Sequence, residues 1–478
     1  MKRLNLAKTS LRIRCVRWNS SQSSTNTNAS ISNKQLLYTQ DASTPGSIFF
    51  LPHGTRVFNK LITFMKHQQM KYGFEEVVTP LIYKTKLWET SGHWQNYKDD
   101  MFKVVGNVQR DEVGAGAGAG AGATAEFEND TLSDSESTEN HGHEHDHEGE
   151  HTYGLKPMNC PGHCLIFSKF ERSYNELPVR LSDFSSLHRN EASGALSGLT
   201  RVRRFHQDDG HIFCELSQIE QEIDNTIKLI KDTYKIFGIT DVQFKLSTRP
   251  EKAIGDLETW AKAEAALEKV LNATTINNWS IREGDGAFYG PKIDVLVTDA
   301  FSKEHQVGTI QLDFQLPERF QLKYVAKDGT RDNQPIMVHR AVFGSLERFF
   351  AILLDHYQGK WPFWLNPRQA IIIPVNEAHH RYCEEVAAVL RGDIVSERNE
   401  IAPMTGYNFY VDVDSRNETI GARIKDAISK GYSYIITIGD KDIEKGTVAV
   451  RTRESRKLKH YEVDELYNQF IELEKDFK

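Results

Sequence analysis

The sequence lacks any apolar run long enough to cross a membrane. Its best uninterrupted apolar stretches are short, such as 370–374, whereas a membrane-spanning helix needs about 18 or more apolar residues. The 5 cysteines among 478 residues are odd in number and irregularly spaced, a pattern that argues against a disulfide framework. We therefore predict a protein of a reducing compartment, without membrane insertion.

Residues 1–40 contain neither Asp nor Glu, although they carry seven Lys or Arg and many Ser, Thr and Asn. Apolar residues alternate with the basic ones as they would in an amphipathic helix, and this composition is typical of a mitochondrial transit peptide. The alternative is a basic tail that has no targeting role. We predict a transit peptide over residues 1–33 and a mature protein in the mitochondrial matrix.

Residues 106–150 lack the apolar content that a packed core requires. They hold an alternating Gly-Ala run, an acidic Ser/Thr stretch and a group of histidines among acidic residues. Ten acidic residues and no Lys or Arg lie in 126–150, so the net charge of −7 becomes +3 without them, and subtracting seven leader charges leaves −4. We predict a disordered surface insertion with no rigid frame for a metal, and no bulk electrostatic signal for nucleic acid.

Apolar residues at helical spacing over 55–72, followed by an extended stretch that ends at Pro80, predict a helix and then a strand. From Tyr153 to about Trp364 short apolar strands alternate with turns, which indicates an antiparallel sheet flanked by helices. Helical patterns interrupt these strands at 217–237, 251–271 and about 341–357.

The pattern changes after Asn366 and Pro367, where strands and helices begin to alternate. This alternation predicts a small α/β domain with a mixed sheet over residues 366–478. The predicted fold class is therefore α+β, with a first folded domain over residues 34–365 that contains the insertion, and the smaller domain after it.

Three residues that commonly bind zinc, Cys160, His211 and His339, lie in separate segments of the chain. One Cys with two His is an accepted set of three protein ligands for a catalytic zinc, and such a site keeps one coordination position open. The alternative is a buried thiol and two histidines that satisfy hydrogen bonds in the core.

The sequence contains no P-loop and no dinucleotide-binding fingerprint. Instead, Arg189, Arg201, Arg203 and Arg348 stand in Gly-rich or otherwise unusual segments, and planar guanidinium groups suit nucleotide phosphates. One such arginine alone would more simply form a surface ion pair. Four of them suggest a nucleotide site of another kind.

The segments around these residues resemble the three motifs of class II aminoacyl-tRNA synthetases. The strand that ends at Pro80 is similar to motif 1, residues 188–191 and 201–209 (HRNE and RVRRFHQDD) are similar to motif 2, and residues 344–348 (GSLER) are similar to motif 3. The resemblance implies a catalytic domain built on an antiparallel sheet, followed by an anticodon-binding domain.

Within that class, three further segments resemble threonyl-tRNA synthetases. They are residues 156–163 (KPMNCPGH), 207–214 (QDDGHIFC) and 288–293 (FYGPKI). The match extends from about Gly46 to the C-terminus, apart from the insertion. It implies a zinc ion held by Cys160, His211 and His339, with Cys164 and Cys214 left as packing residues because they fall outside the matched positions.

The resemblance also implies roles for other residues of the site. Threonine is expected to contact Asp209, Gln207, Tyr289 and Gln311. ATP, with Mg²⁺, is expected to contact Arg189, Glu191, Arg201, Phe205, Gln207, Lys292 and Arg348, of which Arg189 and Arg348 act in catalysis. In the C-terminal domain, which resembles an anticodon-binding domain, Asp442 and Arg451 are candidates for contacts with anticodon bases. The seven basic and three acidic side chains of residues 441–459 form a local patch suited to the RNA backbone.

The implied activity is the joining of threonine to tRNA(Thr) for mitochondrial translation, by a homodimer that forms threonyl-adenylate from ATP. Zinc would select threonine because a site that engages a hydroxyl strongly penalises its absence in valine, whereas serine keeps the hydroxyl. The family commonly carries an N-terminal editing domain, and we expect none here. The alternatives are a seryl or prolyl synthetase of the same class and a synthetase-like RNA-binding protein without catalysis. Arg204 and His206 depart from the smaller residues that are usual in motif 2.

Overall fold

The computed structural model describes the greater part of the chain, namely residues 27–105, 153–274, 278–298, 302–393, 406–455 and 457–478. The predicted insertion and most of the predicted transit peptide lie outside these ranges, so both stay predictions. None of the helices in the described part is long and apolar enough to cross a membrane.

The helices follow one another along the chain as α1 Asn28–Gln35, α2 Pro52–Lys71, α3 Thr85–Thr90, α4 His93–Tyr97, α5 Cys160–Ser168, α6 Ile219–Ile236, α7 Leu257–Ala273, α8 Gln315–Arg319, α9 Leu346–Tyr357, α10 His380–Arg391, α11 Ile420–Lys430, α12 Asp440–Lys445 and α13 Val463–Lys475. The predicted helices at 55–72, 217–237 and 251–271 correspond to α2, α6 and α7.

The strands are β1 Tyr38–Thr39, β2 Phe49–Phe50, β3 Glu75–Glu76, β4 Ile82–Lys84, β5 Lys103–Val104, β6 Tyr153–Leu155, β7 Val179–Asp183, β8 Ser186–His188, β9 Arg204–His206, β10 Asp209–Cys214, β11 Val242–Ser247, β12 Trp279–Arg282, β13 Lys292–Thr298, β14 Glu304–Asp313, β15 Ile336–Ala341, β16 Ala370–Pro374, β17 Val411–Val413, β18 Tyr434–Ile438, β19 Thr447–Thr452 and β20 Lys459–Glu462.

The larger sheet has eight strands in the order β12-β11-β13-β14-β15-β10-β7-β3. Its inner pairs are antiparallel, and only the two outermost pairs, β11 with β12 and β3 with β7, are parallel. One face packs on α2, α6, α7 and α9 through a hydrophobic core. The predicted antiparallel sheet flanked by helices is therefore confirmed.

Helix α9 begins at Leu346, five residues later than the predicted start at Ala341, which is instead the last residue of β15. Four residues separate the strand from the helix, and two of them, Gly344 and Ser345, explain the later start. Gly344 has a φ of 70°, a left-handed conformation that favours glycine. Ser345 caps the helix by accepting a hydrogen bond from the Arg348 backbone N–H, as N-cap serines do.

The strand predicted up to Pro80 is short, because only Glu75 and Glu76 pair with β7 as a strand. The Val77 N–H still donates to the Ser182 carbonyl. Beyond it the chain turns to side-chain partners, and both the N–H and the hydroxyl of Thr79 donate to the Asp183 carboxylate.

The smaller sheet has the order β17-β16-β18-β19-β20, parallel in its first three strands and antiparallel in the rest. Helices α10 and α13 contribute to the hydrophobic cluster on one face, and α11 contributes to the cluster on the other. The predicted mixed sheet is therefore present.

Helix α1 contacts both α9, which packs on the larger sheet, and α11, which packs on the smaller sheet. The Gln35 side chain donates to the Gly359 carbonyl at 2.7 Å and accepts from the Trp361 indole N–H at 2.9 Å. The Gln35 carbonyl accepts from the Arg368 guanidinium at 2.6 Å. The predicted end of the transit peptide at residue 33 thus falls inside a packed helix.

We expect Gln35→Ala to lower the free energy of unfolding in urea by about 2 kcal/mol or more, because it leaves a buried carbonyl and a buried indole N–H without partners. Asn33→Ala is the matched control, since it removes an exposed amide from the same helix. Equal stability of the two variants would contradict the assigned role of Gln35.

Candidate active site and metal centre

The register of the larger sheet places the predicted site residues in one row. His211 on β10 pairs directly with His339 on β15, His339 pairs with Gln311 on β14, and Gln311 pairs with Lys292 on β13. Directly paired residues of antiparallel strands lie on the same face. The row therefore lies on one face of the sheet, and neighbouring residues such as Ile212 and Val338 point into the core of the other face.

Cys160 lies next to this row but belongs to a helix, since it is the first residue of α5. The ligand atoms of Cys160, His211 and His339 lie within 4.8 Å of one another, and all three residues are buried. Among the described residues, this is the only group of three or more Cys, His, Asp or Glu side chains close enough to hold a metal ion.

The outer nitrogen of each histidine is engaged by a buried partner. His339 Nε2 lies 2.9 Å from the Asp313 carboxylate, which also accepts from the backbone N–H groups of Gln315 and Leu316. His211 Nδ1 lies 2.8 Å from His163 Nδ1. Because these nitrogens are engaged, His339 Nδ1 and His211 Nε2 are the atoms left to bind a metal, and metal-binding histidines commonly have such a partner on the other nitrogen.

Burial raises the pKa of the Cys160 thiol well above its ordinary value, and nearby Cys164 and Asp209 add to the shift. Burial also lowers the pKa of His211 well below its ordinary value, as do His163 and His339. A neutral imidazole is the form that binds metal, and a divalent cation supplies the positive charge that a buried thiolate requires. The donor set, its burial and its outer partners therefore fit zinc.

A cavity of about 410 Å³ adjoins the cluster and is lined by all four residues predicted to bind threonine. Two of them are hydrogen-bonded to each other: the Tyr289 hydroxyl donates to the Gln311 side-chain carbonyl. Asp209 accepts from the Asn159 amide at 2.8 Å. Burial raises the pKa of Asp209, and the Asn159 hydrogen bond opposes that shift.

A second cavity of about 250 Å³ is lined by the residues predicted to bind ATP, and it shares Arg189, Gln207, Lys292, Thr309 and Gln311 with the first. The Arg189 guanidinium lies 5.0 Å from the centre of the Phe205 ring. Arg201 forms an ion pair with Glu191 at 2.8 Å. The Arg348 Nε donates to the Thr200 carbonyl at 3.1 Å. The two predicted sets of contacts are therefore continuous in space.

The arginines of this second cavity repel one another. The pKa of Arg348 is lowered first by burial and then by the charges of Arg189 and Arg201, and only Glu191 opposes the shift. Arg189 Nε is buried with no hydrogen-bond partner among the described residues. A bound polyanion would offset the repulsion between the arginines, because opposite charge favours the protonated guanidinium, and it would supply a hydrogen-bond acceptor for Arg189 Nε.

Lys292 differs from the arginines because its ammonium already has two carboxylate partners. Its Nζ lies 3.0 Å from Asp294 and 3.5 Å from Asp285. Asp294 is fully buried and also accepts from Ser247 and Gln306. A contact between Lys292 and ATP stays a prediction, and the ammonium would have to serve the nucleotide and these carboxylates together.

His206 and Arg204, the two departures in motif 2, have different surroundings. The His206 ring lies 2.9 Å from Glu347, and its backbone N–H donates to the same carboxylate at 3.0 Å. His206 therefore ties motif 2 to the start of α9. Arg204 is exposed and donates to the Ser186 hydroxyl.

The sequence pattern passed over several residues that support the site. Asn159, His163 and Asp313 each hold a predicted site residue in place, and His163 and Asn159 even stand inside a segment used for the resemblance. His93 is also buried nearby, 2.7 Å from the Ser91 hydroxyl, and burial lowers its pKa to about 3. For Asp313 the only local signal was a carboxylate between two apolar residues, Leu312 and Phe314.

The two candidates for anticodon contacts lie in the unit built on the smaller sheet. Asp442 is mostly buried, accepts from the Gly439 N–H at the start of α12, and lies 3.2 Å from the His460 ring. Arg451 lies on β19, and its Nη1 is buried without a hydrogen-bond partner in the described part of the chain. Their contacts with RNA stay predictions.

Two family models match the chain. Residues 143–357 match the tRNA synthetase class II core domain (G, H, P, S and T), and residues 369–473 match an anticodon binding domain. Together with the antiparallel sheet and the row of site residues upon it, these matches define a class II aminoacyl-tRNA synthetase.

Similar proteins narrow the class further. The chain is 49% identical to the mitochondrial threonine–tRNA ligase of Saccharomyces cerevisiae, over 94% of this chain and 91% of that protein. It is 46% identical to the probable mitochondrial threonine–tRNA ligase of Schizosaccharomyces pombe, over 96% and 91%. A crystal structure described as the RNA binding domain of threonyl-tRNA synthetase from Cryptosporidium parvum Iowa II superposes with a TM-score of 0.79 at 37% identity, covering 93% of this chain and 97% of that one. The chain belongs to the threonine–tRNA ligase family.

Proposed function

We propose that this chain is a threonine–tRNA ligase of mitochondria, which activates threonine with ATP and transfers the threonyl group to tRNA(Thr). The observation that carries the proposal is the continuity of the two cavities, one beside Cys160, His211 and His339 and the other lined by Arg189, Arg201 and Arg348. The family membership and the mitochondrial relatives support it.

The first step requires positioning more than covalent catalysis. The threonine carboxylate attacks the α-phosphorus of ATP in line, the bond to the β-phosphate oxygen breaks, and pyrophosphate leaves with its electron pair. Arg189 lines both cavities and is thus placed to contact the carboxylate and the α-phosphate together. Fixed guanidinium groups stabilise the negative charge that develops on the phosphate oxygens.

In the second step a hydroxyl of the terminal ribose of tRNA attacks the carbonyl carbon of the adenylate, and AMP leaves. Neither step requires a nucleophile from the protein, because the threonine carboxylate and the ribose hydroxyl are the attacking groups. Asp209 is placed to accept from the threonine ammonium, while Phe205 and Glu191 line the cavity expected to hold adenine.

Cys160, His211 and His339 would hold zinc, and Mg²⁺ would accompany ATP. When bound, zinc would supply a Lewis acid that engages the amino and hydroxyl groups of the amino acid. Around it Tyr289 and Gln311 hold each other, and Asn159 holds Asp209, so the chain's own hydrogen bonds orient the pocket.

Amino-acid-dependent exchange of pyrophosphate into ATP tests this function. We expect exchange with threonine, exchange with serine reduced about 10- to 200-fold in kcat/KM because one methyl group is lost, and about 10⁴-fold less with valine because the hydroxyl is lost. Proline should give none. Preferential exchange with proline or serine would favour the rival synthetases. Zinc-loaded protein that exchanges with no amino acid would favour an RNA-binding protein without catalysis.

We also propose a homodimer. Val78, Leu81 and Ile82 are exposed apolar residues around Pro80, next to the edge strand β3 of the larger sheet. Exposed apolar groups of this kind mark interaction surfaces, and motif 1 forms the interface between subunits in the class that the sequence resembles. A two-fold axis there would bury the same patch on both copies.

The mitochondrial matrix is the proposed location, reached with a transit peptide that ends before Thr27. Thr27 caps α1, and α1 makes buried contacts with the body of the protein, so a cut at residue 33 would remove folded structure. Residues 34–365 with α1 are proposed as the catalytic domain, and residues 366–478 as the anticodon-binding domain, where Asp442 and Arg451 are the candidates for base contacts.

A further inference from the structure

Behind the zinc-ligand candidate His211 lies a line of buried polar side chains that none of the steps above uses. His211 Nδ1 is 2.8 Å from His163 Nδ1, and the two rings are perpendicular, with their centres 4.6 Å apart. On the far side of His163, its Nε2 is 3.9 Å from the Asp183 carboxylate. His163 and Asp183 are both buried almost completely.

The order of protons along this line follows from the geometry. If His211 offers Nε2 to the metal, its Nδ1 carries the proton and donates to His163 Nδ1. Neutral His163 then carries its own proton on Nε2, and that atom has no hydrogen-bond partner among the described residues. The nearby Asp183 carboxylate is the group that favours a proton at that position.

Asp183 is held as an anion by several donors. It accepts from the Thr79 N–H and hydroxyl and from the Ser185 N–H, at 3.2, 2.6 and 2.7 Å. The Lys156 ammonium lies 3.6 Å away and is completely buried. Burial by itself raises the pKa of Asp183, but His163, Ser185, Thr79 and Lys156 outweigh it and lower that pKa below its ordinary value.

Close packing of α5 keeps this line together. A Cβ on Gly162 would lie 2.8 Å from the Tyr83 hydroxyl and 3.2 Å from the Thr79 side chain. Helix α5 therefore approaches the segment of motif 1 closely only because residue 162 is glycine. That approach places His163 between His211 and Asp183 while Cys160, three residues earlier, faces the metal cluster.

We propose that His163 is a positioning residue for the metal ligand His211, and that Asp183, charged through Lys156 and Thr79, sets the tautomer of His163. This inference rests on the proposed zinc site. It parallels the direct contact of Asp313 with His339, except that a second imidazole stands between the carboxylate and the ligand. Such outer partners orient a ligating imidazole and raise its basicity.

The test compares three substitutions that differ in the atom they retain. In His163→Asn the side-chain oxygen takes the place of Nδ1 and can still accept from His211. In His163→Gln the amide end takes the place of Nε2 and can face only Asp183, and His163→Ala retains neither contact. Zinc affinity is measured by competition with a chromophoric chelator, and the visible absorption of the Co²⁺-substituted protein reports the ligand set.

We expect His163→Ala and His163→Gln to weaken zinc binding by about 10- to 100-fold and to shift the Co²⁺ spectrum, while His163→Asn retains most of the affinity and the parent spectrum. Unchanged affinity in all three variants would overturn the proposal. Equal losses in all three would also overturn it, because they would indicate a packing role.

Unfolding of the zinc-free variants in urea shows whether the ordering of affinities follows the ordering of stabilities, which would again indicate packing. Cys160→Ala is measured alongside. If it retains zinc, the zinc site itself is wrong; if it loses zinc while the His163 variants do not, only the role of His163 is wrong.

Discussion

Replacing Cys160 with alanine should remove both bound zinc and detectable threonine-dependent exchange of pyrophosphate into ATP. Two histidines alone are a poor set for zinc, since a catalytic site holds three protein ligands. The remaining pocket would then have to recognise threonine without the group that engages its hydroxyl. Zinc content by metal analysis and exchange activity should fall together.

Cys164→Ala is the matched control for that substitution. Cys164 is one turn further along α5, is equally buried in the same hydrophobic cluster, and lies 3.9 Å from the Met337 sulfur. We expect this variant to retain zinc and activity, with only the loss of stability that follows from a smaller buried side chain. Full zinc content in Cys160→Ala, or zinc loss in Cys164→Ala, would contradict the ligand assignment.

Replacing Arg348 with alanine should lower kcat for adenylate formation by about 10³- to 10⁵-fold, the range in which a single arginine stabilises a phosphoryl-transfer transition state. The free energy of unfolding should change little, because Arg348 is exposed, its hydrogen bond to the Thr200 carbonyl is exposed too, and the charges of Arg189 and Arg201 repel it. A large loss of activity without a loss of stability would distinguish a phosphate contact from a structural ion pair.

Two further variants sharpen that measurement. Arg348→Lys retains the charge but loses the planar fork of donors, so it should recover only part of the rate. Arg331→Ala removes an exposed arginine outside both cavities, and its exchange rate should match that of the parent. Exchange by Arg348→Ala within a few-fold of the parent would show that Arg348 does not contact the reacting phosphates.

The helices were predictable because periodic apolar residues determine a helix locally. The spacing over 55–72 anticipates α2, whereas the start of α9 was misplaced because a glycine in a left-handed conformation and a serine cap lie within an otherwise continuous apolar pattern. The strand before Pro80 was overestimated for a different reason. Thr79 satisfies its N–H with the Asp183 side chain, a partner distant in the sequence.

The candidate site divides in a similar way. The sequence identified Cys160, His211, His339 and the arginines because their side chains suit zinc and phosphate and because they stand in motifs that are continuous in the chain. It did not identify Asp313, Asp183 or His163 as their partners. A carboxylate and an imidazole that hold another side chain have no local pattern, and only the folded chain brings them within hydrogen-bond distance.

By itself the sequence determined the fold class, the family and the residue types of the site, since these depend on apolar periodicity and on motifs that are continuous in the chain. Only the tertiary structure decided how those residues work together. The register of β10, β15, β14 and β13 aligns His211, His339, Gln311 and Lys292 on one face, and a shift by one residue would have turned each of them to the other face. Register is set by pairing between strands that are distant in the sequence. The row of residues that connects the metal cluster to the second cavity therefore forms only when the chain folds.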